Sequence, residues 1–105
     1  MRENLAVATE QQESDDRVIA ARCGTPAFEK AFYKDSKAAV AAGLVGRKGR
    51  DPADTEKIIT ALRRNPLLLV SAQADCPAQL ARLKDIQKAR RSAIRSGRSA
   101  ASGRG

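Results

Sequence analysis

The residues best suited to chemistry in this chain are arginines close to its end, at positions 91, 95 and 98. Side chains spaced three or four residues apart lie on one face of an α-helix. A guanidinium group is planar and charged, and its fork of N–H donors fits phosphate oxygens. Each neutralised phosphate also releases condensed counterions, so binding by such a face is strong and depends on salt. The pattern predicts a polyanion-binding surface, and nucleic acid is the polyanion that we expect.

The net charge of +8 is concentrated at the same end of the chain. Residues 82–105 carry a charge of +7, whereas residues 1–27 carry −2. This asymmetry favours a bound polyanion, although a tail that is charged only for solubility stays open as an alternative. Because no aromatic residue lies nearby, we expect contact with the phosphate backbone rather than stacking on bases.

A second basic feature is the loop 43–50, which reads GLVGRKGR. It lacks the Gly-Lys-Ser/Thr of a Walker loop. Its Gly-x-x-Gly fits the backbone clamp of a KH domain locally, but Pro52 stands where that domain needs an apolar helix residue. A third interpretation is a helix-turn-helix with a long turn. From both basic features, the residues expected to contact nucleic acid are Arg47, Lys48, Arg50, Lys88, Arg90, Arg91, Arg95, Arg98 and Arg104.

Two short segments carry a family resemblance: residues 32–43 read FYKDSKAAVAAG, and residues 62–66 read LRRNP. They resemble the DNA-binding region of tailed-phage small terminase subunits, which often combine a tyrosine, an alanine-rich helix ending in Ala-Gly and a Leu-x-x-Asn-Pro segment. The resemblance covers about residues 28–74. It implies a helix-turn-helix in which the loop 46–50 and the helix after Pro52 face DNA. The alternative is a loop of solvated charges between two packed helices.

Catalytic and metal-binding chemistry has little support in the composition. The chain has no histidine to serve as a general base, and the Asp15-Asp16 pair stands in a polar stretch that we expect to be exposed. Two cysteines are too few for a zinc site within one chain. Cys23 and Cys76 either form a disulfide or stay reduced, and reduced, partly buried thiols are the state we expect. We therefore predict no catalytic residue, no metal, no cofactor and no small-molecule substrate.

The prolines predict where helices begin. Thr25-Pro26, Asp51-Pro52 and Asn65-Pro66 each place a capping residue before a proline, and a similar signal stands before Pro77. Helices are therefore expected from about 26, 52, 66 and 77, with a less distinct one within 3–22. The fold class is all-α: a small bundle of four to five short helices with a basic C-terminal helix and a flexible tail. The predicted parts are an acidic, partly helical segment 1–24, a helical body 25–87 and a basic Arg/Ser/Gly-rich extension 88–105.

The sequence as a whole predicts a non-enzymatic, nucleic-acid-associated structural or binding subunit of a larger assembly, a ribosome or a virion, with protein neighbours. The alternatives are a helix-turn-helix DNA-binding protein, such as a phage DNA-packaging factor, and a protein-binding adaptor for an acidic partner. No stretch reads as a signal peptide or a membrane span. We therefore expect no membrane partner and a soluble protein, either cytoplasmic or within a virion or ribonucleoprotein particle.

Overall fold

A computed structural model of the chain describes residues 5–47, 49–64 and 75–96, in which it shows four helices. They are α1 (Glu10–Cys23), α2 (Pro26–Ala41), α3 (Pro52–Leu62) and α4 (Cys76–Arg95). The described residues contain no β-strand, only a parallel bridge between Ala8 and Val45. The all-α prediction is confirmed, and the expected tail, residues 97–105, lies outside the described residues. Within that described part, no helix is both long and apolar enough to cross a membrane.

The proline signals located three helix starts. α2 begins at Pro26 and α3 at Pro52, as predicted, and the Thr25 side chain accepts a hydrogen bond from the Phe28 amide. α4 begins at Cys76, one residue before the predicted start. The predicted start at 66 lies outside the described residues. Proline in the first helical turn marks all three starts, whereas among them only Thr25 forms a side-chain cap hydrogen bond, and Asp51 and Asp75 do not.

The end of α2 is fixed by Gly43, whose φ of 80° is in the left-handed region that glycine favours. The Gly43 amide donates to the carbonyl of Val40, and the Leu44 amide donates to that of Ala39. This is the Schellman arrangement, which satisfies the last carbonyls of a helix. It turns the chain so that Leu44 and Val45 enter the core, where both are 3% exposed.

Helix α1 lies at the centre of the bundle and packs against each of the other three helices. Eight consecutive residues, 13–20, are therefore buried, polar ones included. The expectation that Asp15 and Asp16 are exposed was wrong: they are 7% and 4% exposed. Where a helix is surrounded by protein, its carboxylates are shielded from water and need hydrogen-bond donors from neighbouring residues. Asp15 accepts a hydrogen bond from Gln11, and Asp16 from Arg82.

The apolar core has two parts. One joins α1, α2 and α4 through Ile19, Ala20, Phe32, Leu83 and Ile86. The other joins α2 and α3 with the first part of the loop between them and with the segment before α1, and contains Ala6, Ala39, Val40, Leu44, Val45 and Ile59. Helix α4 is therefore attached to the bundle along its whole length, because Ala89 and Ala93 pack against this second part.

A disulfide joins Cys23 to Cys76. The expectation of reduced thiols was wrong. The last residue of α1 and the first residue of α4 lie side by side, with 5.2 Å between their Cα atoms, within the range that a disulfide spans. The sequence could not show this proximity, because it results from the way α4 packs on α1.

Candidate nucleic-acid interface

Arg90, one of the predicted nucleic-acid contacts, is buried in the centre of the molecule and only 1% exposed. Its Nη1 donates to Oε2 of Glu13 at 2.9 Å, its Nη2 donates to the other oxygen of the same carboxylate, and its Nε donates to the carbonyl of Ala6. A phosphate cannot reach this guanidinium in the folded chain. The assignment of Arg90 as a nucleic-acid contact is therefore corrected: Arg90 ties α4 to α1 and to the segment before α1.

The Glu13 carboxylate also accepts a hydrogen bond from the Ser36 hydroxyl, which in turn accepts one from Nε of Arg17 at 2.8 Å. The remaining donors of Arg17 bind both carboxylate oxygens of Glu56 on α3. The result is a chain of polar contacts that passes through all four helices. It contains two arginines and two glutamates, so its charges cancel. Such a network satisfies buried charges that would otherwise be very costly.

Two carboxyl groups around this network have shifted pKa values of opposite direction. Hydrogen bonds from Arg17 hold the pKa of Glu56 below its usual 4.5. Burial raises the pKa of Asp16 above its usual 3.8, although the hydrogen bond from Arg82 opposes that effect. Asp16 is thus an inward-facing carboxylate whose partner is basic, and Arg82 belongs partly to the interior as well.

The opposite side of α4 forms a row of cations that we call the outer face of α4: Lys84, Lys88, Arg91 and Arg95. Their spacing of four, three and four residues places them on one helical face, over a length of about 16 Å. All four are exposed. The structure therefore brings together three of the predicted contacts, Lys88, Arg91 and Arg95. It adds Lys84, which was missed although it stands one helical turn before Lys88.

Two of these cations have partners that restrict their position. Nη2 of Arg91 donates to Oδ2 of Asp35 on α2 at 2.9 Å, yet the Arg91 side chain stays 58% exposed. The Nζ of Lys84 lies 6.0 Å from the centre of the Phe28 ring. Both contacts are with α2, which also carries exposed Lys34 next to Asp35. The basic surface consequently begins on α4 and continues toward α2.

The loop between α2 and α3 presents less charge than its sequence indicates. Arg47 is exposed, but Arg50 is partly buried and forms an ion pair with Glu10 at the start of α1. A pocket of about 340 Å³ lies beside them, and its lining includes Asp51 and Thr55 of the α3 start. Lys48, and with it Arg98 and Arg104, lies outside the described residues.

No family model, curated protein or solved structure matches the chain. Over residues 5–47, 49–64 and 75–96, no group of three or more histidine, cysteine or acidic residues could hold a metal ion. The physical arrangement of charges is thus the basis for a functional assignment.

Proposed function

We propose that the protein is a non-enzymatic, nucleic-acid-binding subunit of a larger assembly, and that the outer face of α4 binds the phosphate backbone. The observation that carries this proposal is the separation of charge on α4. Its inward basic groups, Arg82 and Arg90, bind carboxylates of α1, whereas its outward ones face solvent.

The pairing of charges inside the bundle strengthens the outer face. Five carboxylates each form an ion pair with an arginine: Glu10, Glu13, Asp16, Asp35 and Glu56. Only one of these pairs, between Asp35 and Arg91, involves the outer face. Over the part of the chain that the structure describes, no ion pair joins its other three cations, Lys84, Lys88 and Arg95, to a carboxylate. A row of exposed cations on one helix attracts a polyanion and neutralises several of its charges at once.

The disulfide bears on which assembly is involved. Structural disulfides persist in oxidising surroundings and are rare in the reducing cytosol, where ribosomes work. The Cys23–Cys76 bond therefore favours a virion over a ribosome as the place where the folded chain acts. A count of free thiols on the protein isolated from its native particle tests this choice. If the protein is a component of the ribosome, both of its cysteines are expected to be free thiols.

The second candidate function is that of a helix-turn-helix DNA-binding protein, which the resemblance to phage small terminase subunits supports. The exposed Arg47 beside the start of α3 favours it. However, the connection between α2 and α3 spans residues 42–51, whereas a helix-turn-helix is joined by three or four residues. We therefore rank it second. Under this alternative, replacing Arg47, Lys48 and Arg50 weakens binding most, and one DNA sequence is preferred.

The proposal is tested by a pair of variants that remove the same charge from different places. One carries Lys84→Gln, Lys88→Gln and Arg95→Gln on the outer face of α4. The control carries Lys57→Gln, Arg63→Gln and Arg64→Gln, exposed residues of α3 and its end. In fluorescence anisotropy with labelled nucleic acid, we expect the first variant to lose most of the affinity and the control to keep most of it. Equal losses would mean that only net charge matters, and a larger loss in the control would favour the helix-turn-helix, whose DNA-facing helix is α3. A salt-independent affinity would leave the acidic-partner adaptor as the better assignment.

A further inference from the structure

We infer that the nucleic acid bound by the outer face of α4 is double-stranded. This inference rests on the proposed function and names the class of ligand for the same surface. Proteins that bind single strands without sequence preference combine a basic groove with aromatic side chains on which bases stack. The question is thus whether the chain offers any aromatic ring to a base.

The chain contains three aromatic residues, Phe28, Phe32 and Tyr33, and all three are engaged. Phe32 is 1% exposed in the core. The Phe28 ring stacks on Phe32 with 6.2 Å between ring centres, packs against the core and has Lys84 over it. Tyr33 has the guanidinium of Arg17 at 4.6 Å and the Nζ of Lys37 at 4.8 Å from its ring centre. Phe28 and Tyr33 are half-buried and each has a cation over its ring, so no aromatic ring lies open as a stacking platform beside the outer face of α4.

The cations of the outer face are suited to phosphates in a regular array. They stand on a helix that is fixed to the bundle by the Arg90–Glu13 pair on its inner side. Two of them are further held, Arg91 by Asp35 and Lys84 above Phe28. The row follows about 16 Å of one helix, and a ligand whose phosphates are regularly spaced can contact several of its cations at once. A duplex offers one charge for roughly each 1.7 Å of its axis, and each contact with it releases more counterion than a contact with a single strand.

The test compares a short mixed-sequence DNA duplex with each of its two strands, using the intact, oxidised protein and anisotropy at several salt concentrations. We expect the duplex to bind roughly tenfold more tightly than either strand, because stacking contributes nothing to strand binding. An RNA duplex of the same sequence is expected to behave like the DNA duplex. If a single strand binds as tightly as the duplex, with a clear salt dependence, the inference is overturned and the proposed function stands. If neither form binds, the proposed function itself fails.

A second measurement uses the intrinsic fluorescence of Tyr33, since the chain has one tyrosine and no tryptophan. After correction for absorption by the nucleic acid, we expect its emission to stay unchanged when either form binds. Quenching of Tyr33 by a bound strand would show that a base displaces Lys37 and stacks on the ring, which contradicts the inference. A Tyr33→Leu variant provides the matched control, and its affinities for duplex and strand are expected to equal those of the unaltered chain.

Discussion

Arg90 and Arg91 are consecutive residues of the same helix, yet they differ in nearly every physical respect. Arg90 is 1% exposed, with its guanidinium closed in by Glu13 and Ala6. The Arg91 side chain is 58% exposed and has one partner, Asp35, at the surface. Successive residues of an α-helix are rotated by about 100°, which is sufficient to place one side chain in the interior and the next in solvent. The two positions define an inner and an outer face of α4.

The comparison shows that a count of basic residues overestimates a binding surface. Part of the charge in residues 82–95 balances carboxylates of α1, which could not be buried without it. The remaining part is free to bind a ligand. Substitutions on the two faces are therefore expected to change different properties. Those on the inner face change the stability of the fold, and those on the outer face change the affinity for nucleic acid.

The largest expected effect is that of Arg90→Ala. It leaves the Glu13 carboxylate buried without its main partner, which typically costs roughly 3–5 kcal/mol of the free energy of unfolding. Arg91→Ala is the control and is expected to cost less than about 1 kcal/mol, because exposed ion pairs contribute little. Urea denaturation followed by circular dichroism measures both. Equal losses for the two variants would contradict the division of α4 into an inner and an outer face.

Reduction of the disulfide is expected to have the next largest effect. The bond fixes the first turn of α4 to the end of α1 and restricts the unfolded chain over a sequence separation of 53 residues. Its loss is expected to lower the free energy of unfolding by roughly 2–4 kcal/mol. Thermal unfolding with and without reductant measures this. A Cys23→Ser/Cys76→Ser variant is expected to have the stability of the reduced protein, with or without reductant. If the unaltered chain unfolds at the same temperature in both conditions, the disulfide is contradicted.

A smaller effect concerns pH and the Arg17–Glu56 pair. Because the folded-state pKa of Glu56 lies below 4.5, its contribution to stability is complete above that value and is lost as pH falls through the folded-state pKa. Asp16 acts in the opposite direction, since its raised pKa makes the folded chain take up a proton earlier. We expect Glu56→Gln to be less stable at neutral pH and to lose less on acidification below 4.5 than the unaltered chain. If the free energy of unfolding of the two proteins changes with pH in the same way, the Arg17–Glu56 pair does not contribute to stability as described.

The smallest expected effect is a gain in affinity for duplex nucleic acid. Asp35 is the carboxylate that forms an ion pair with the outer face of α4, and it accepts hydrogen bonds from Arg91 and Gln87. In Asp35→Asn the amide oxygen still accepts one of these bonds, while the negative charge beside Arg91 disappears. We expect duplex affinity to rise a few-fold at low salt and stability to change by less than about 1 kcal/mol. Unchanged or weaker binding would indicate that Arg91 lies outside the interface.

The sequence predicted the starts of α2, α3 and α4 to within one residue, because proline in the first helical turn is a local signal that needs no tertiary information. It also contained the signal for Arg90, which was overlooked: Arg90 follows Leu83 and Ile86 at seven and four residues, so it continues the apolar face of α4. The partners of α1 could not be predicted in the same way. Whether Asp16 is exposed and whether Cys23 meets Cys76 depend on how helices pack around α1 and not on any local pattern.

The measurement that tests the account most directly is the salt dependence of duplex binding by the Lys88→Gln variant. Lys88 is exposed in the middle of the outer face of α4 and forms no ion pair with another described residue, so we expect its replacement to leave the fold unchanged. We predict that the slope of log affinity against log salt concentration becomes shallower by about 0.9, the value of one lost phosphate contact. A slope equal to that of the unaltered chain would show that the outer face of α4 does not contact the backbone.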